Sequence, residues 1–329
     1  MKTIKPIIVS GIQPSGELHV GNYLGSLKNF VELQNSSKYQ CFFFIADYHA
    51  MTENSDPEQL RARSRGLIMD YLAAGIDPSK STIFLQSQVT GHTELAWIFN
   101  TLLPVAELER MTQFKDKAAR QKANINMGLF DYPVLQAADI LLYHALAVPV
   151  GQDQVQHVEL TRLAARKFNQ KYKTDYFAEP KEVLTNTPKI MSLLTPEKKM
   201  SKSLGENHCI GINDDPEVIK KKLSRAVSDE GSGESVGGTN LLLLLENFSH
   251  PDTVEYFFKQ KEQKKIKFGE FKAQLADDIA NYFKDFRDRR KKLEKDSKYV
   301  DKVMTEGAAT AQKIASQTMA EVREIVGLV

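Results

Sequence analysis

Short apolar runs alternate with stretches of helical periodicity through the first 150 residues, and this alternation is the feature that most limits the fold. Apolar runs predict strands at Ile4–Ser10, Gln40–Ala46 and Thr82–Leu85. Between them, apolar residues recur at helical spacing, which predicts one helix from about Val20 and another from Asp56. This order of strands and helices predicts right-handed parallel βαβ units, whose ligands bind at the carboxyl ends of the strands.

The pattern changes after about residue 213, where strand-like runs give way to apolar stripes of helical spacing. One stripe starts at Pro216, one runs from Phe271 to Phe286 and one runs from Val300 to Ile325. We therefore expect an α/β protein with a Rossmann-like parallel-sheet domain at residues 1–205 and an all-α C-terminal helical domain at residues 206–329.

Composition narrows the class of protein further. With 329 residues and 42% hydrophobic side chains, the chain can bury a full core. Its longest apolar runs, Cys41–Ala46 and Leu241–Leu245, are far shorter than the roughly 20 residues that cross a bilayer. The N-terminal run is too short for a signal peptide, so we expect a cytoplasmic protein without a membrane segment.

Cysteine content and charge also limit the possible ligands. Two distant cysteines, Cys41 and Cys209, predict no metal framework. A net charge of +2 leaves any nucleic-acid contact to local patches.

The segment Ser10–Asn22 is the first candidate phosphate-binding device, because it follows the first predicted strand and leads into the first helix. The chain has no Gly-Lys dipeptide, which excludes a Walker loop, and no GxGxxG motif. The free amides and positive dipole end of a helix N-terminus attract anions. We expect His19 and Asn22 to add side-chain donors there.

A second candidate is the basic segment Lys199-Met200-Ser201-Lys202-Ser203. Taken alone, a short lysine run is usually a solvated loop. In combination, a His-x-Gly-Asn after the first strand and a KMSKS segment at the end of the sheet domain rarely coincide by accident.

These two segments resemble the HIGH and KMSKS motifs of class I aminoacyl-tRNA synthetases. Asn22 stands where the first motif usually has His, a departure that is familiar in the tryptophanyl branch. The resemblance to tryptophanyl-tRNA synthetases covers essentially the whole chain in the same order. The segments that carry it are Ser10–Gly16, Glu109–Lys115, Ala137–Tyr143, Val148–Gln154 and Tyr299–Leu328.

The resemblance implies a two-step reaction. L-Tryptophan and ATP, accompanied by Mg²⁺, would form tryptophanyl-adenylate and pyrophosphate, and tryptophan would then pass to tRNA(Trp). Mg²⁺ would be held by ATP oxygens and water, without a dedicated protein metal site. The family implies a homodimer with residues of roughly 80–150 at the interface. Residues 206–329 would bind the anticodon, with Lys220–Lys222, Arg225 and Lys259–Lys267 as possible phosphate contacts.

Residue roles in the ATP site follow from the same resemblance. Lys199 and Lys202 would clamp the pyrophosphate, Asn22 would hold phosphates at the helix start, and Lys117 is a candidate third cation. Gln152 stands where the family usually has Glu, and its amide still offers an acceptor. The remaining residues implied to line the ATP site are Gln13, Pro14, Ser15, His19, Gly21, Gly151, Asp153, Ile190, Met200, Ser201 and Ser203.

The amino-acid pocket is predicted on the helix that contains Tyr132, Gln136 and Asp139, which share one face. A carboxylate accepts hydrogen bonds only, so Asp139 suits the indole N–H, a pure donor. Tyr132 and Gln136 could hold the ammonium group, although hydrogen bonds between helices would also explain such polar groups. Three further residues are implied to lie near the pocket: His49, Val148 and Val150.

Three alternatives stay open at this point. The Tyr–Gln–Asp spacing also resembles tyrosyl-tRNA synthetases, but Val9 is apolar where a partner for the tyrosine hydroxyl would be expected. A synthetase-like paralogue could bind tryptophan or tRNA without joining them. A smaller nucleotidyltransferase with a related first motif would not explain the long helical tail.

Overall fold

The computed structural model describes residues 5–53, 56–112, 125–151, 154–184 and 188–328. Its centre is one parallel five-stranded sheet in the order β3-β2-β1-β4-β5. The strands are β1 Ile7–Ile12, β2 Gln40–Ile45, β3 Ser81–Leu85, β4 Ala147–Val150 and β5 Lys181–Leu184. The strand order reverses between β1 and β4, which is the place where open parallel sheets bind ligands. The predicted Rossmann-like fold is confirmed.

Two compact units make up the chain, and they differ from the two predicted domains. The sheet unit consists of Met1–Ser15, Asn29–Asn186 and Asp296–Val329, and the helical unit consists of Gly16–Lys28 and Thr187–Lys295. The first motif helix and the KMSKS segment therefore belong to the helical unit, whereas the C-terminal helix belongs to the sheet unit.

Helices surround the sheet within the sheet unit. They are Lys28–Asn35, Asp47–Ala50, Pro57–Ala74, Gly91–Asn100, Val105–Glu109, Met127–Leu141, Val155–Tyr172 and Ser297–Val326, with a 3-10 turn at Gln86–Gln88. Phe42, Phe84 and Tyr143 form an aromatic cluster in the core, with Phe42 and Tyr143 stacked at 5.3 Å between ring centroids. The predicted helices of the first 150 residues are confirmed.

The C-terminal helix Ser297–Val326 packs directly on the sheet. A Cβ atom at Gly307 would lie 1.7 Å from the carbonyl oxygen of Ile83 in β3, so only glycine allows this approach. Arg65 forms an ion pair with Asp301 in the same helix. These contacts explain why the last predicted helix joins the sheet unit and not the preceding helices.

The helical unit contains the first motif and the long run of helices. Its elements are the helix Val20–Asn22, a single π-helical turn at Tyr23–Leu27, the helices Pro216–Ser224, Val236–Phe248, Pro251–Glu262, Phe268–Tyr282 and Lys284–Lys295, and 3-10 turns at Lys202–Leu204 and Glu206–His208. Tyr23 packs edge-on against Phe283, with ring centroids 4.9 Å apart. None of the described helices has both the length and the apolar composition needed to span a bilayer.

Candidate active site

The first motif forms a doubly capped helix start in the helical unit. The Nδ1 atom of His19 accepts hydrogen bonds from the backbone N–H groups of Gly21 and Asn22, at 3.1 and 3.3 Å. The side-chain Oδ1 of Asn22 accepts the backbone N–H of His19 at 3.1 Å. This is a capping box, in which two side chains satisfy orphan helix donors. His19 therefore acts as an acceptor at Nδ1, and only its Nε2–H fits the predicted donor role.

The electrostatic environment keeps His19 neutral. Burial, followed by the positive charges of Lys202 and Lys199, lowers the pKa of His19 from 6.5 to about 4. Because a neutral imidazole with Nδ1 unprotonated can accept the two amide protons, the low pKa and the cap support each other. Both lysines of the KMSKS segment therefore contribute positive charge to the surroundings of this helix start within the helical unit.

A short antiparallel pairing holds the KMSKS segment in place. The backbone N–H of Ser192 donates to the carbonyl of Lys198 at 2.8 Å, and that of Met200 donates to Ile190 at 3.0 Å. Ile190 and Met200 are buried, whereas Lys199 is exposed. The buried residues therefore anchor the segment while Lys199 stays available to an anion in solution.

Lys202 has an acidic partner in the first motif. Its Nζ lies 2.8 Å from the Oε2 atom of Glu17. This hydrogen bond and the charge of Lys202, with smaller contributions from Arg290 and Lys222, lower the pKa of Glu17. The cations of the helical unit thus converge on one anionic group, as they would on a phosphate.

Two glycines of the first motif have packing reasons to be glycine. A Cβ at Gly21 would lie 3.0 Å from the His19 ring and 3.7 Å from the Cβ of Ile190. A Cβ at Gly11 would lie 2.7 Å from the Phe44 ring. Gly11 is thus required by the packing of β1 against β2.

The predicted ATP residues divide between the units. Gln13, Pro14, Ser15 and Gly151 belong to the sheet unit, at the carboxyl ends of β1 and β4. His19, Gly21, Asn22, Ile190 and Lys199–Ser203 belong to the helical unit. Three predicted site residues lie outside the described residues: Lys117, Gln152 and Asp153.

Asp139 is the centre of the predicted amino-acid pocket, and it is 1% exposed. Its Oδ2 accepts from Nε2 of His49 at 2.8 Å, and its Oδ1 accepts from Nδ1 of His92 and Nε2 of Gln86, both at 2.7 Å. Burial opposes the negative charge, but the hydrogen bonds from His49 and His92 outweigh it and hold the pKa of Asp139 at about 2. The carboxylate is therefore charged and can only accept.

His49 binds this carboxylate, and Tyr132 lies beside the His49 ring and has a hydrogen-bond partner of its own. The rings of His49 and Tyr132 meet edge-on at 6.2 Å, and the Tyr132 hydroxyl lies 3.0 Å from Nε2 of His157. Gln136 lies one turn further along the same helix and is partly buried. Two pocket residues predicted on β4 are buried beside the sheet core: Val148 and Val150.

Sequence reasoning missed His92 and Gln86, although both bind Asp139. Gln86 begins the turn after β3, at the carboxyl edge of the sheet where His49 follows β2. His92 is 0% exposed, and its Nε2 lies 2.9 Å from the hydroxyl of Tyr143. Because Nδ1 of His92 donates to the carboxylate, its Nε2 accepts from Tyr143. Their position after a strand was the only sequence signal, and it did not point to Asp139.

The candidate site residues of the helical unit and those of the sheet unit differ in chemistry. The helical unit presents two lysines beside a capped helix start, an arrangement suited to a polyphosphate. The sheet unit presents a buried carboxylate that is suited to a single N–H donor. Among the described residues, no group of three or more His, Cys, Asp or Glu side chains could hold a metal ion. Sheet order, helix start and KMSKS segment together are those of a class I aminoacyl-tRNA synthetase.

Comparisons with known proteins agree with this class. The family described as tRNA synthetases class I (W and Y) matches residues 1–284. Tryptophanyl-tRNA synthetase from Campylobacter jejuni, solved in complex with ADP and tryptophan, is 36% identical, with a TM-score of 0.85 over 98% of this chain and 99% of that chain. The enzyme from Mycoplasma pneumoniae is 34% identical, with a TM-score of 0.86 over 99% of each chain.

The chain belongs to the class I tRNA synthetases of the tryptophan and tyrosine family, and within it to the tryptophanyl-tRNA synthetases. It is an ATP-dependent aminoacyl-tRNA ligase, and the tryptophan assignment is favoured over the tyrosine alternative. A tyrosyl-tRNA synthetase from Archaeoglobus fulgidus, at 21% identity and a TM-score of 0.68, shares the fold alone.

Proposed function

We propose that this ligase activates L-tryptophan through a nucleophilic attack of the amino-acid carboxylate on the α-phosphorus of ATP. The bond between that phosphorus and the β-phosphate oxygen breaks, and pyrophosphate leaves. A ribose hydroxyl at the end of tRNA(Trp) then attacks the acyl carbon, and AMP leaves. The single observation that carries the proposal is the pair Lys199 and Lys202 beside the helix start capped by His19.

In this proposal the helical unit stabilises charge that develops on the phosphates. Lys199 and Lys202 bind the departing pyrophosphate, and Asn22 contributes its side-chain N–H group at the helix start. Catalysis of phosphoryl transfer depends mainly on positioning and on charge stabilisation. The protein needs no nucleophilic side chain, because the carboxylate of the substrate is the nucleophile.

Mg²⁺ fits this arrangement as a companion of ATP. It neutralises phosphate charge when bound, and phosphate oxygens with water satisfy its preference for oxygen ligands. Lys199 and Lys202 are suited to the phosphates and not to the metal. Glu17 is engaged with Lys202 at 2.8 Å, so we assign it no metal role.

The amino-acid site of the proposal is the Asp139 network. Two hydrogen bonds to Oδ1 and one to Oδ2 leave one acceptor position of the carboxylate on Oδ2. This position suits the indole N–H of tryptophan. Gln136 and the Tyr132 hydroxyl remain our candidates for the ammonium group, and Val148 and Val150 supply apolar surface.

Binding of tRNA(Trp) is assigned to basic surface of the helical unit. The helix Lys284–Lys295 carries seven Lys and Arg residues against three acidic residues, which favours contact with the RNA backbone. Lys220 and Lys221 are exposed, as the same role requires. Lys222 is buried and its Nζ lies 2.6 Å from Asp214, so its predicted phosphate contact is withdrawn.

We also propose a homodimer in the cytoplasm, formed through the region predicted from the family. Large apolar side chains are exposed there, including Trp97 at 71% and Met127 at 74%. Exposed apolar side chains of this size favour a protein interface. Light scattering on the full chain and on Trp97→Ser tests this directly. A monomer in the unsubstituted protein would contradict it.

The experiment that tests the function is ATP–pyrophosphate exchange with tryptophan and tyrosine side by side, followed by charging of purified tRNA. Exchange that depends on tryptophan, with transfer to tRNA(Trp), is the expected result. Preference for tyrosine would overturn the amino-acid assignment. Exchange without transfer to any tRNA would favour the non-charging paralogue.

A further inference from the structure

His92 joins the Asp139 carboxylate to the hydroxyl of Tyr143 inside the sheet unit. Asp139 lies on the helix Met127–Leu141 and Tyr143 follows four residues later, while His92 reaches both from the helix Gly91–Asn100. Its Nδ1 lies 2.7 Å from Oδ1 of Asp139, and its Nε2 lies 2.9 Å from the Tyr143 hydroxyl. His92 is 0% exposed, so solvent does not compete for either hydrogen bond.

The direction of both hydrogen bonds follows from the chemistry of the partners. A carboxylate only accepts, so the hydrogen lies on Nδ1 of His92. Burial, followed by the negative charge of Asp139, raises the pKa of Tyr143, so its hydroxyl keeps a hydrogen that it donates to Nε2 of His92. Tyr143 thus fixes the tautomer of His92 that Asp139 requires. The Tyr143 ring is itself held by stacking on Phe42, with 5.3 Å between ring centroids.

Two donors from different elements hold Oδ1 of Asp139. His92 donates from its helix and Gln86 from the turn after β3, both at 2.7 Å. The torsion that turns a carboxylate about its Cβ–Cγ bond has a broad energy profile when nothing restrains it. Here a rotation would break both hydrogen bonds in a buried site, which is costly. The other oxygen, Oδ2, therefore stays on the side of His49, whose Nε2 lies 2.8 Å away.

We propose that His92 is a positioning residue of the amino-acid site, which fixes the rotation of the Asp139 carboxylate so that Oδ2 remains available to the indole N–H of tryptophan. This inference rests on the proposed function. His92 acts through Asp139 and needs no contact with the substrate, and Tyr143 supports it by fixing its tautomer. A binding group is precise when the residues behind it lock its orientation by packing and hydrogen bonds.

Calorimetric binding of two amino acids to the full chain separates this role from ordinary packing. One is tryptophan, and the other is β-(3-benzothienyl)alanine, in which sulfur replaces the indole N–H at nearly the same shape. His92→Leu removes the donor to Oδ1 of Asp139. We expect the preference for tryptophan over the analogue to fall by on the order of tenfold, because the analogue has no N–H to donate and does not depend on the direction of Oδ2.

His92→Asn is the conservative variant, because its side-chain NH₂ group can donate from the position of Nδ1. It should restore most of the preference for tryptophan. Phe84→Leu is the matched control for packing, since the Phe84 ring lies against His92 and Tyr143, at 6.2 and 5.8 Å between ring centroids, and its side chain has no hydrogen-bonding group. It should leave the preference unchanged.

If His92→Leu does not fold, Tyr143→Phe removes one hydroxyl, keeps the aromatic core, and should lower the preference in the same direction by a smaller factor. In tryptophan-dependent exchange, the folded variant should raise the KM for tryptophan and leave kcat nearly the same, because Lys199 and Lys202 are intact. An unchanged preference in that variant, or an equal loss of affinity for both amino acids, would overturn the proposal. Failure of the unsubstituted chain to prefer tryptophan over the analogue would instead overturn the proposed function at Asp139.

Discussion

Lys202 and Glu17 form an ion pair between the KMSKS segment and the first motif, with 2.8 Å between Nζ and Oε2. The two side chains are 33% and 75% exposed, so solvent screens the pair and its contribution to folding is small. Glu17 therefore binds Lys202 only weakly. The lysine can exchange this carboxylate for a phosphate group.

Lys202→Ala should lower kcat for tryptophan-dependent exchange by on the order of a hundredfold or more, because a cation that stabilises departing pyrophosphate is lost. The KM for tryptophan should stay nearly the same, since Asp139 and its partners are untouched. Steady-state exchange kinetics at varied tryptophan and ATP check both values.

Glu17→Gln is the control for that variant, because it breaks the ion pair and leaves the lysine. It should retain kcat, since the positive charge that binds pyrophosphate remains. If both variants lost kcat equally, the ion pair and not the lysine charge would be responsible. Unchanged turnover in Lys202→Ala would refute the proposed clamp.

Asp139→Asn should raise the KM for tryptophan by on the order of a hundredfold, because an amide would place a donor among donors in a buried site. The kcat at saturation should change less, because the phosphate-binding lysines are intact.

Asp131→Asn is the matched control for Asp139→Asn on the same helix. Asp131 accepts from Asn100 at 2.8 Å, so the same substitution there should leave tryptophan affinity unchanged. Equal effects of the two variants on KM would remove the special role of Asp139.

The sheet was predictable from sequence where its strands are apolar and long enough. β2, Gln40–Ile45, matches its prediction closely, because five consecutive buried residues give a clear signal. β4 and β5 were not predicted as strands. Each has only four residues, and β4 contains Pro149 while β5 begins with Lys181 and Glu182, so neither shows an apolar run of ordinary length.

The candidate site was predictable where a local motif carries it. His19 and Asn22 were found by their motif, but the motif could not indicate that their side chains cap the helix. Gln86 and His92 contact Asp139 from 53 and 47 residues away in sequence, and such pairs leave no spacing to detect. The compact units differ from the predicted domains for a similar reason, because one close approach at Gly307 decides where the last helix packs.

Stability should depend on pH through His19. The native pKa is about 4 and the ordinary value is 6.5, so between these values the unfolded chain binds a proton that the native chain does not. The stabilising contribution is therefore complete above pH 6.5 and is lost as pH falls to about 4, by up to about 3 kcal/mol. Denaturant unfolding at several pH values measures this loss of stability.

His19→Asn is the control, because it keeps a capping side chain without a titrating group. It should flatten the stability profile between pH 4 and 6.5. Parallel profiles for the two proteins would contradict the assignment.

Gly307→Ala should destabilise the sheet unit strongly, by about 3 kcal/mol or more. The added Cβ would lie 1.7 Å from the carbonyl oxygen of Ile83, and β3, although it is an edge strand, cannot move away without disturbing its ladder with β2. Gly269→Ala is the matched control, because Gly269 is also helical and a Cβ there meets nothing within 4 Å. That change should stabilise by roughly 0.5–1 kcal/mol, since alanine loses less backbone entropy in a helix. Midpoints of denaturant unfolding compare the two. If Gly307→Ala unfolded at the same denaturant concentration as the unsubstituted chain, the C-terminal helix could not be packed on β3 as closely as the structure has it.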